Sequence, residues 1–173
     1  MRIFIFFVCI IFSFSSLAQN TNSSPCSAPE SSQFDFWIGD WNLTWSDTLH
    51  GTNHIEKIMG GCTVQENFSD PNTNFIGKSW SVYNKNYKIW QQTWVDNQGG
   101  YIDLTGGMVG DSLILSTAEK TVPKTVSPTG KIISRMVYEN ITKNSFDWNW
   151  ESSSDGGKTW KINWHIFYKR ANS

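Results

Sequence analysis

The sequence predicts an all-β protein, an antiparallel up-and-down barrel of about ten strands, with a β-sandwich as the alternative. Short β-prone segments recur along the chain between turn motifs, and several of them alternate apolar and polar side chains. No segment keeps a 3.6-residue period long enough for a major helix. Aromatic residues make up 15% of the chain, with 10 Trp and 11 Phe, and large flat side chains favour pleated sheets.

The first 18 residues are predicted to be a secretory signal peptide. Arg2 precedes an apolar stretch over residues 3–14, and Ser16 and Ala18 are small residues of the kind that signal peptidase reads. The apolar run is shorter than the roughly 20 residues that a transmembrane helix needs. We therefore expect an exported protein, periplasmic or secreted after cleavage near Ala18, with no membrane span in the mature chain.

Residues 19–33 are predicted to form a flexible N-terminal arm because they are polar, contain proline and show no period. Cys9 lies in the signal peptide, so the mature chain keeps Cys26 and Cys62. Two cysteines in an exported protein predict one disulfide, which would tie the arm to the domain. Two free, buried thiols are the alternative.

The barrel domain is predicted over residues 34–170. It begins with a tight bend or a turn of helix in the aromatic segment 34–41, followed by a first strand that includes residues 42–45. Turn motifs such as Gly60-Gly61, Asp70-Pro71-Asn72 and Gly106-Gly107 separate the later strands. Those strands are predicted at 54–59, 62–68, 75–83, 87–95, 101–105, 112–117, 132–139, 145–151 and 160–169.

Alternation within the strands predicts which side chains share a face. One such set lies in the ninth strand and another in the tenth: Phe146, Trp148 and Trp150, then Trp160, Ile162, Trp164, Ile166 and Tyr168. A sheet with one apolar face must bury that face. Because no helices are predicted to cover it, the sheet must close on itself or stack as a sandwich.

A structural turn is predicted between the last two strands. Residues 153–160 fit the pattern S-x-D-x-G-x-T-W of the Asp-box, a hairpin turn of sialidases and many other β proteins. The Asp155 carboxylate can accept backbone N–H groups, Gly157 permits a positive φ, and Trp160 can pack under the hairpin. We expect Ser153, Asp155, Gly157 and Trp160 to hold the turn rather than form a site.

The opening Phe34-Asp35-Phe36-Trp37-Ile38-Gly39-Asp40-Trp41 resembles the F-D-F-W-x-G-x-W opening of a lipocalin-like family catalogued as domain of unknown function 1579. Segments 53–56, 61–67 and 90–96 agree in order, as do the Asp-box turn and the Tyr168 and Arg170 that follow it. The resemblance covers residues 34–170. It implies a calycin-like barrel and no settled activity. In such a barrel, we expect Trp37 and Trp41 to plug the closed end.

The barrel interior is the predicted binding site. Glu56 and Glu66 lie on adjacent predicted strands, where they would face each other as an acid–base pair or point into solvent. The ligand-binding candidates are Glu56, Glu66, Trp80, Trp90, Gln91, Trp94, Arg135, Trp148 and Trp164. Because the wall is aromatic with few polar groups, we expect an apolar or amphipathic small molecule. Which face of the Trp-rich strands points inward stays open.

No metal site and no cofactor are predicted. The spacing of the three histidines matches no metal motif. Haem at His165 is a weak alternative, because His165 falls on the polar face of its strand. The formal net charge of −1 and the absence of a basic run predict no nucleic-acid partner.

The function predicted from these observations is an exported small-molecule-binding β-barrel. One alternative is an enzyme, an isomerase or hydrolase, that uses a Glu or His in the cavity. The other is a structural protein whose barrel is filled with Trp and Phe. No catalytic residue is assigned by sequence, and whether the protein catalyses a reaction stays open.

Overall fold

The computed structural model describes residues 26–117 and 132–171 and contains a closed ten-stranded barrel. Two short 3-10 helices precede the first strand, Pro29–Ser32 and Asp35–Trp37, and a third, Met59–Gly61, joins the second strand to the third. The strands are β1 (Gly39–Trp45), β2 (Leu49–Ile58), β3 (Thr63–Asp70), β4 (Phe75–Asn84), β5 (Ile89–Asp96), β6 (Tyr101–Val109), β7 (Ser112–Thr117), β8 (Ile133–Glu139), β9 (Ser145–Ser153) and β10 (Lys161–Arg170).

Each strand pairs antiparallel with its neighbours in sequence, and β1 pairs with β10 to close the sheet. Trp41 lies opposite Arg170 and Leu43 lies opposite Tyr168 in that closing ladder. The predicted all-β, calycin-like up-and-down barrel is therefore confirmed, and the β-sandwich alternative is excluded. Closure leaves no unpaired sheet edge and encloses the apolar face of every strand.

One end of the barrel is closed by an aromatic plug, residues 34–38. The Phe34 ring meets Trp90 edge-on at 4.6 Å between centroids, and Trp37 meets Tyr138 at 5.3 Å. The guanidinium of Arg170 donates to the carbonyls of Ile38 and Phe36. As expected, Trp37 lies in this end, where its side chain is fully buried.

The Arg170 guanidinium also stacks on Trp41, which is buried beside the plug. Gly39 has φ +123° and lies against this guanidinium, so a side chain at position 39 would both strain the backbone and displace the arginine. The start of β1 and the end of β10 are thereby held together at the closed end.

Cys26 and Cys62 form a disulfide with their Cα atoms 5.2 Å apart, which confirms the predicted pairing. The bond joins the N-terminal segment to the residue just before β3. Gln33 accepts a hydrogen bond of 2.9 Å from the indole N–H of Trp90, so residues 26–33 of the predicted arm are fastened to the barrel. The predicted signal peptide, 1–18, and the first part of the arm, 19–25, lie outside the described residues.

The predicted turn at Gly106-Gly107 is wrong, because β6 continues through both residues. Gly106 pairs with Leu115 and Gly107 with Ile114 in the β6–β7 ladder. A Cβ atom at Gly106 would collide with the carbonyl oxygen of Ile114, whereas one at Gly107 would meet nothing. Gly106 is therefore required for the close approach of β7, and no chain reversal occurs there.

The predicted common face of β10 is also wrong at one end, because the strand contains a bulge. The register shifts between Ile162 and Trp164, so that Ile162 lies opposite Glu151 on the outer face and Trp164 lies opposite Trp150. Ile162 is accordingly 54% exposed. Trp160 lies outside as well, stacked against the Arg135 guanidinium. A one-residue bulge transfers the preceding side chains to the opposite face.

The Asp-box residues form a hydrogen-bonded turn between β9 and β10. Asp155 accepts from the backbone N–H groups of Lys158 and Thr159 and from the Thr159 hydroxyl, and Ser153 donates to it. These bonds hold the pKa of the Asp155 carboxyl well below its usual range. Gly157 has φ +88°. The hydrogen bonds of the Ser153 and Asp155 side chains are thus made within the turn.

Within residues 26–117 and 132–171, no helix has both the length and the apolar character needed to cross a lipid bilayer.

Candidate functional site

A cavity of about 180 Å³ occupies the barrel at the end opposite the plug. This end contains the β3–β4, β5–β6 and β9–β10 connections, and we call it the mouth. Phe75 and Asp96, which flank two of those connections, line the cavity near the mouth, whereas Glu66, Tyr138 and Tyr168 line its inner end. Aromatic rings of the plug pack against Trp90 and Tyr138 at the opposite, closed end.

Eight of the thirteen residues that line the cavity are aromatic. Besides Tyr138 and Tyr168 at the inner end, they are Phe68, Phe75, Trp94, Trp148, Trp150 and Trp164. The Trp164 ring stands nearly perpendicular to Trp148, with 5.7 Å between centroids, and to Phe68 at 6.0 Å. Edge-to-face packing of this kind holds the rings in fixed orientations. The wall therefore presents rigid aromatic surface to anything that enters.

A polar group that we call the floor cluster lies at the inner end of the cavity. Glu66 and Tyr168 line the cavity, and Asn53, Ser79 and Gln92 are hydrogen-bonded behind them without lining it. Asn53 Nδ2 donates to Glu66 Oε1 at 2.7 Å and to the Tyr168 hydroxyl at 3.1 Å. Ser79 Oγ donates to Glu66 Oε2 at 2.5 Å, and Gln92 Nε2 donates to Ser79 Oγ at 3.0 Å. Four strands and the closing strand β10 thus supply one network around a single carboxyl group.

Glu66 is the chemically distinctive member of the floor cluster. Its side chain is 5% exposed, and burial raises the pKa of its carboxyl from 4.5 to about 7, although the bonds from Ser79 and Asn53 favour the ionised form. A carboxyl with this pKa exchanges protons near neutral pH. It can therefore act as an acceptor, a donor or a base inside an apolar chamber.

Two tyrosines flank Glu66 at the inner end of the cavity. Burial, with the nearby Glu66 charge as a second cause, keeps the pKa of Tyr138 and of Tyr168 well above 10. Both hydroxyls are therefore neutral at physiological pH. The Tyr138 hydroxyl also interacts with Trp148 and Gln92. Glu66 is accordingly the group of the inner end that titrates near neutral pH.

The mouth carries a second carboxyl, that of Asp96. It accepts hydrogen bonds from the indole N–H of Trp94 at 3.1 Å and from the backbone N–H groups of Gln98 and Gly100. Burial alone would raise the pKa of Asp96, but these hydrogen bonds outweigh it and lower the pKa below its usual 3.8. Asp96 is therefore a permanent negative charge at the mouth.

Four of the nine predicted binding residues line the cavity: Glu66, Trp94, Trp148 and Trp164. Trp90 is also inside the barrel, but it packs against Phe34 in the closed end and donates to Gln33. It serves the plug and does not line the cavity.

The other four predicted binding residues lie on the outer face: Glu56, Trp80, Gln91 and Arg135. Glu56 accepts a hydrogen bond from Gln65, and Gln65 accepts one from Trp80. Gln91 accepts from Asn84, and Arg135 binds Glu151 at 2.6 Å. Each of these four residues is adjacent in sequence to a residue that faces inward. Because successive side chains of a strand point to opposite faces, the four side chains point outward. Their placement in the cavity is therefore corrected.

Glu56 and Glu66 do not face each other. Ile55 lies opposite Glu66, and Glu56 lies opposite Gln65, in the β2–β3 ladder. The acid–base pair considered from sequence is thus replaced by a single carboxyl held by neutral groups.

His165 lies on the outer face of β10, between Trp164 and Ile166, which point into the interior. Its Nδ1 is 2.8 Å from Asn149 Oδ1, and its Nε2 is 3.4 Å from Asp147. The His165 ring therefore does not line the cavity. Among the residues that the structure describes, no cluster of three His, Cys, Asp or Glu side chains is placed to hold a metal ion.

Sequence reasoning missed Asn53 and Ser79 of the floor cluster, because they are small or neutral residues of ordinary appearance. One signal was available. In Ser79-Trp80-Ser81 the two serines are fully buried and Trp80 is outside, which reverses the usual preference of these residue types. Polar residues at the inward-facing positions of a strand are typical of a strand that contributes to a polar site.

Comparison with models of protein families finds no match for this chain, and comparison with curated proteins finds none either. The function is therefore inferred from the chemistry of the cavity, namely its size, its aromatic wall and its carboxyl-bearing floor.

Proposed function

We propose that this protein is an exported β-barrel that binds a small apolar or amphipathic molecule in its interior. The observation that carries the proposal is the cavity of about 180 Å³, which combines an aromatic wall with a few hydrogen-bonding groups at its inner end. This combination is typical of small-molecule sites, where apolar area supplies affinity and a few polar groups fix orientation. The closed barrel also supports the resemblance to the lipocalin-like family, which remains part of the proposal.

Export is supported by the disulfide between Cys26 and Cys62, because disulfides persist in oxidising compartments. A structural role for a completely filled barrel is less well supported, since the aromatic residues leave an interior space. The size of that space sets the size of the ligand. Drug-sized ligands occupy pockets of roughly 300–1,000 Å³, so the proposed ligand is smaller.

The test uses benzyl alcohol as an amphipathic probe and follows tryptophan fluorescence during titration. Ile102→Phe adds volume to a residue that lines the cavity. Ile114→Phe is the matched control, because Ile114 lies on the outer face between buried Leu113 and Leu115. We expect saturable binding by the wild type and the control, and binding at least about 10-fold weaker for Ile102→Phe, since one excluded ring forfeits apolar contact. Equal binding by all three proteins would place the probe outside the barrel and overturn the proposal.

A second function, acid–base catalysis in the same cavity, is favoured by one observation. Burial raises the pKa of Glu66 to about 7, where a carboxyl can both accept and return a proton. Glu66 would then serve an isomerase or a hydrolase. We expect hydrolysis of p-nitrophenyl acetate to rise with pH through about 7 and to be lost in Glu66→Gln. Equal hydrolysis by the two proteins would exclude Glu66 as a base in this reaction.

A further inference from the structure

Among the described residues that line the cavity, the charged side chains are all acidic. Of the residues that line it, Glu66 at the inner end and Asp96 at the mouth are acidic, and none in the described part of the chain is Lys, Arg or His. The two arginines of the described residues make contacts elsewhere. Arg135 binds Glu151 on the outer face, and Arg170 donates to the plug. A carboxylate ligand would find no cationic partner among these lining residues.

The floor cluster also has more hydrogen-bond acceptors than donors. Asn53 Oδ1 and Gln92 Oε1 are buried and accept no hydrogen bond from the described residues. Asn53 is 1% exposed and Gln92 is 2% exposed, so bulk water does not reach these oxygens freely. Both amides lie beside Glu66, the first bonded to it directly and the second through Ser79. Donors are therefore scarce around Glu66, and a ligand that donates to the Glu66 carboxylate, which lines the cavity, suits this end better than one that competes for those donors.

The aromatic wall of the cavity also favours a cationic ligand. Trp94, Trp148 and Trp164 line the cavity, and the negative faces of indole rings attract cations. An aromatic enclosure combined with a carboxylate is the environment in which proteins hold organic cations. A primary ammonium group has three donors and no acceptor, so it can bond to the Glu66 carboxylate without needing a donor from the protein.

The volume limits the rest of the ligand. A protein cavity of roughly 150 Å³ accommodates benzene, and the cavity here measures about 180 Å³. One ring with a short substituent therefore fits, whereas a long acyl chain does not.

We propose that the cavity binds a compact primary amine, such as a single-ring arylalkylamine, with its ammonium group on Glu66 and its ring against Trp94, Trp148 and Trp164. This inference rests on the proposed binding function and specifies its ligand class. Asp96 at the mouth adds a second negative charge on the entry side, which favours entry of cations over anions.

Binding of the amine is expected to depend on pH. The groups that face Glu66 from the neighbouring strands are Asn53, Ser79 and Gln92, which do not titrate, and the neutral hydroxyls of Tyr138 and Tyr168. Because burial raises the pKa of Glu66 to about 7, the carboxylate that attracts an ammonium group forms as the pH rises through neutrality. Amine affinity should rise over the same interval, and affinity for an uncharged analogue should not.

The experiment compares three probes of similar size by isothermal titration calorimetry: benzylamine, benzyl alcohol and benzoate. At about pH 8, where Glu66 is mostly ionised, we expect benzylamine to bind at least about 10-fold more tightly than benzyl alcohol, as charged hydrogen bonds exceed neutral ones. Benzoate should not bind. In Glu66→Gln, benzylamine affinity should fall to that of benzyl alcohol, and the preference for benzylamine over benzyl alcohol should disappear.

The outcomes separate this inference from the function on which it rests. If benzyl alcohol or benzoate binds as tightly as benzylamine, the amine inference is overturned and the binding function stands. If none of the three probes binds, both fail. Should Glu66→Gln not fold, the wild type alone decides, because benzylamine affinity must rise between about pH 6 and about pH 8 while benzyl alcohol affinity stays constant.

Discussion

Replacing Glu66 by glutamine keeps the volume of the side chain and removes its charge. The amide can still accept from Asn53 and can donate to Ser79 Oγ, so it resembles the protonated carboxyl. The variant therefore isolates the free energy of holding an ionised carboxylate inside the barrel.

The magnitude follows from the pKa of Glu66, which burial raises from 4.5 in the unfolded chain to about 7 in the folded protein. Because the folded-state pKa is the higher one, stabilisation by the protonated group is fully present below pH 4.5 and is lost as the pH rises through 7. At about 1.36 kcal/mol per tenfold change in proton affinity, the loss approaches roughly 3 kcal/mol. Glutamine does not titrate, so Glu66→Gln should gain this much relative to wild type.

The assay is guanidinium unfolding followed by tryptophan fluorescence, with the disulfide intact, at intervals from about pH 5 to about pH 8. Near pH 5 the two proteins should have similar unfolding free energies, and near pH 8 the variant should be more stable. Glu56→Gln makes the same substitution on the outer face and serves as the control. A difference between Glu66→Gln and wild type that stays constant with pH would refute the reasoning. So would an equal gain in Glu56→Gln, because net charge would then be the cause.

Further predictions concern the parts of the fold that hold the cavity in place. The double variant Cys26→Ser and Cys62→Ser should lose about 4 kcal/mol of stability, since the disulfide closes a loop with a sequence separation of 36; an unchanged melting temperature would contradict this. Gly106→Ala should destabilise by roughly 1–3 kcal/mol in chemical unfolding, because its Cβ meets the Ile114 carbonyl. Gly107→Ala, where the space is open, should change stability by less than about 0.5 kcal/mol. Arg170→Lys should lose about 2 kcal/mol in thermal unfolding, because lysine cannot reach both plug carbonyls while stacking on an indole.

Much of the fold was predictable because strand signals are local. The alternation of Phe146, Trp148 and Trp150 identified β9, and the structure buries Phe146 and Trp148 with Asp147 turned outward. Most predicted strand limits agree with the observed ones to within three residues, but β2 begins five residues earlier and β6 ends four residues later than predicted. The predicted disulfide is present. Errors arose where two strands interact. The glycines of β6 resemble a turn in sequence, but Gly106 only makes room for the neighbouring backbone of β7.

The candidate site was predictable in its chemistry and only partly in its membership. Composition and alternation predict an aromatic interior with a few polar groups. Alternation, however, only divides the residues of one strand into two sets, and it does not say which set points inward. Glu56 and Glu66 illustrate the difference, since either could have been the interior acid. The Asn53, Ser79 and Gln92 side chains acquire a role only because three different strands bring them to the same carboxyl.

By itself, the sequence determined that this chain forms short β-strands with aromatic faces that must be buried, because a two-residue period and turn residues act over neighbouring positions. Only the tertiary structure decided between a barrel and a sandwich, by pairing β1 with β10. Only the tertiary structure decided that Glu66 is inside and Glu56 outside, because the β2–β3 register places Glu66 beside Ile55 of the interior. It also decided that Trp160 leaves the interior, because the bulge in β10 reverses the facing of the residues before it. Register and bulges depend on pairing between strands, and that pairing is set when the whole sheet closes.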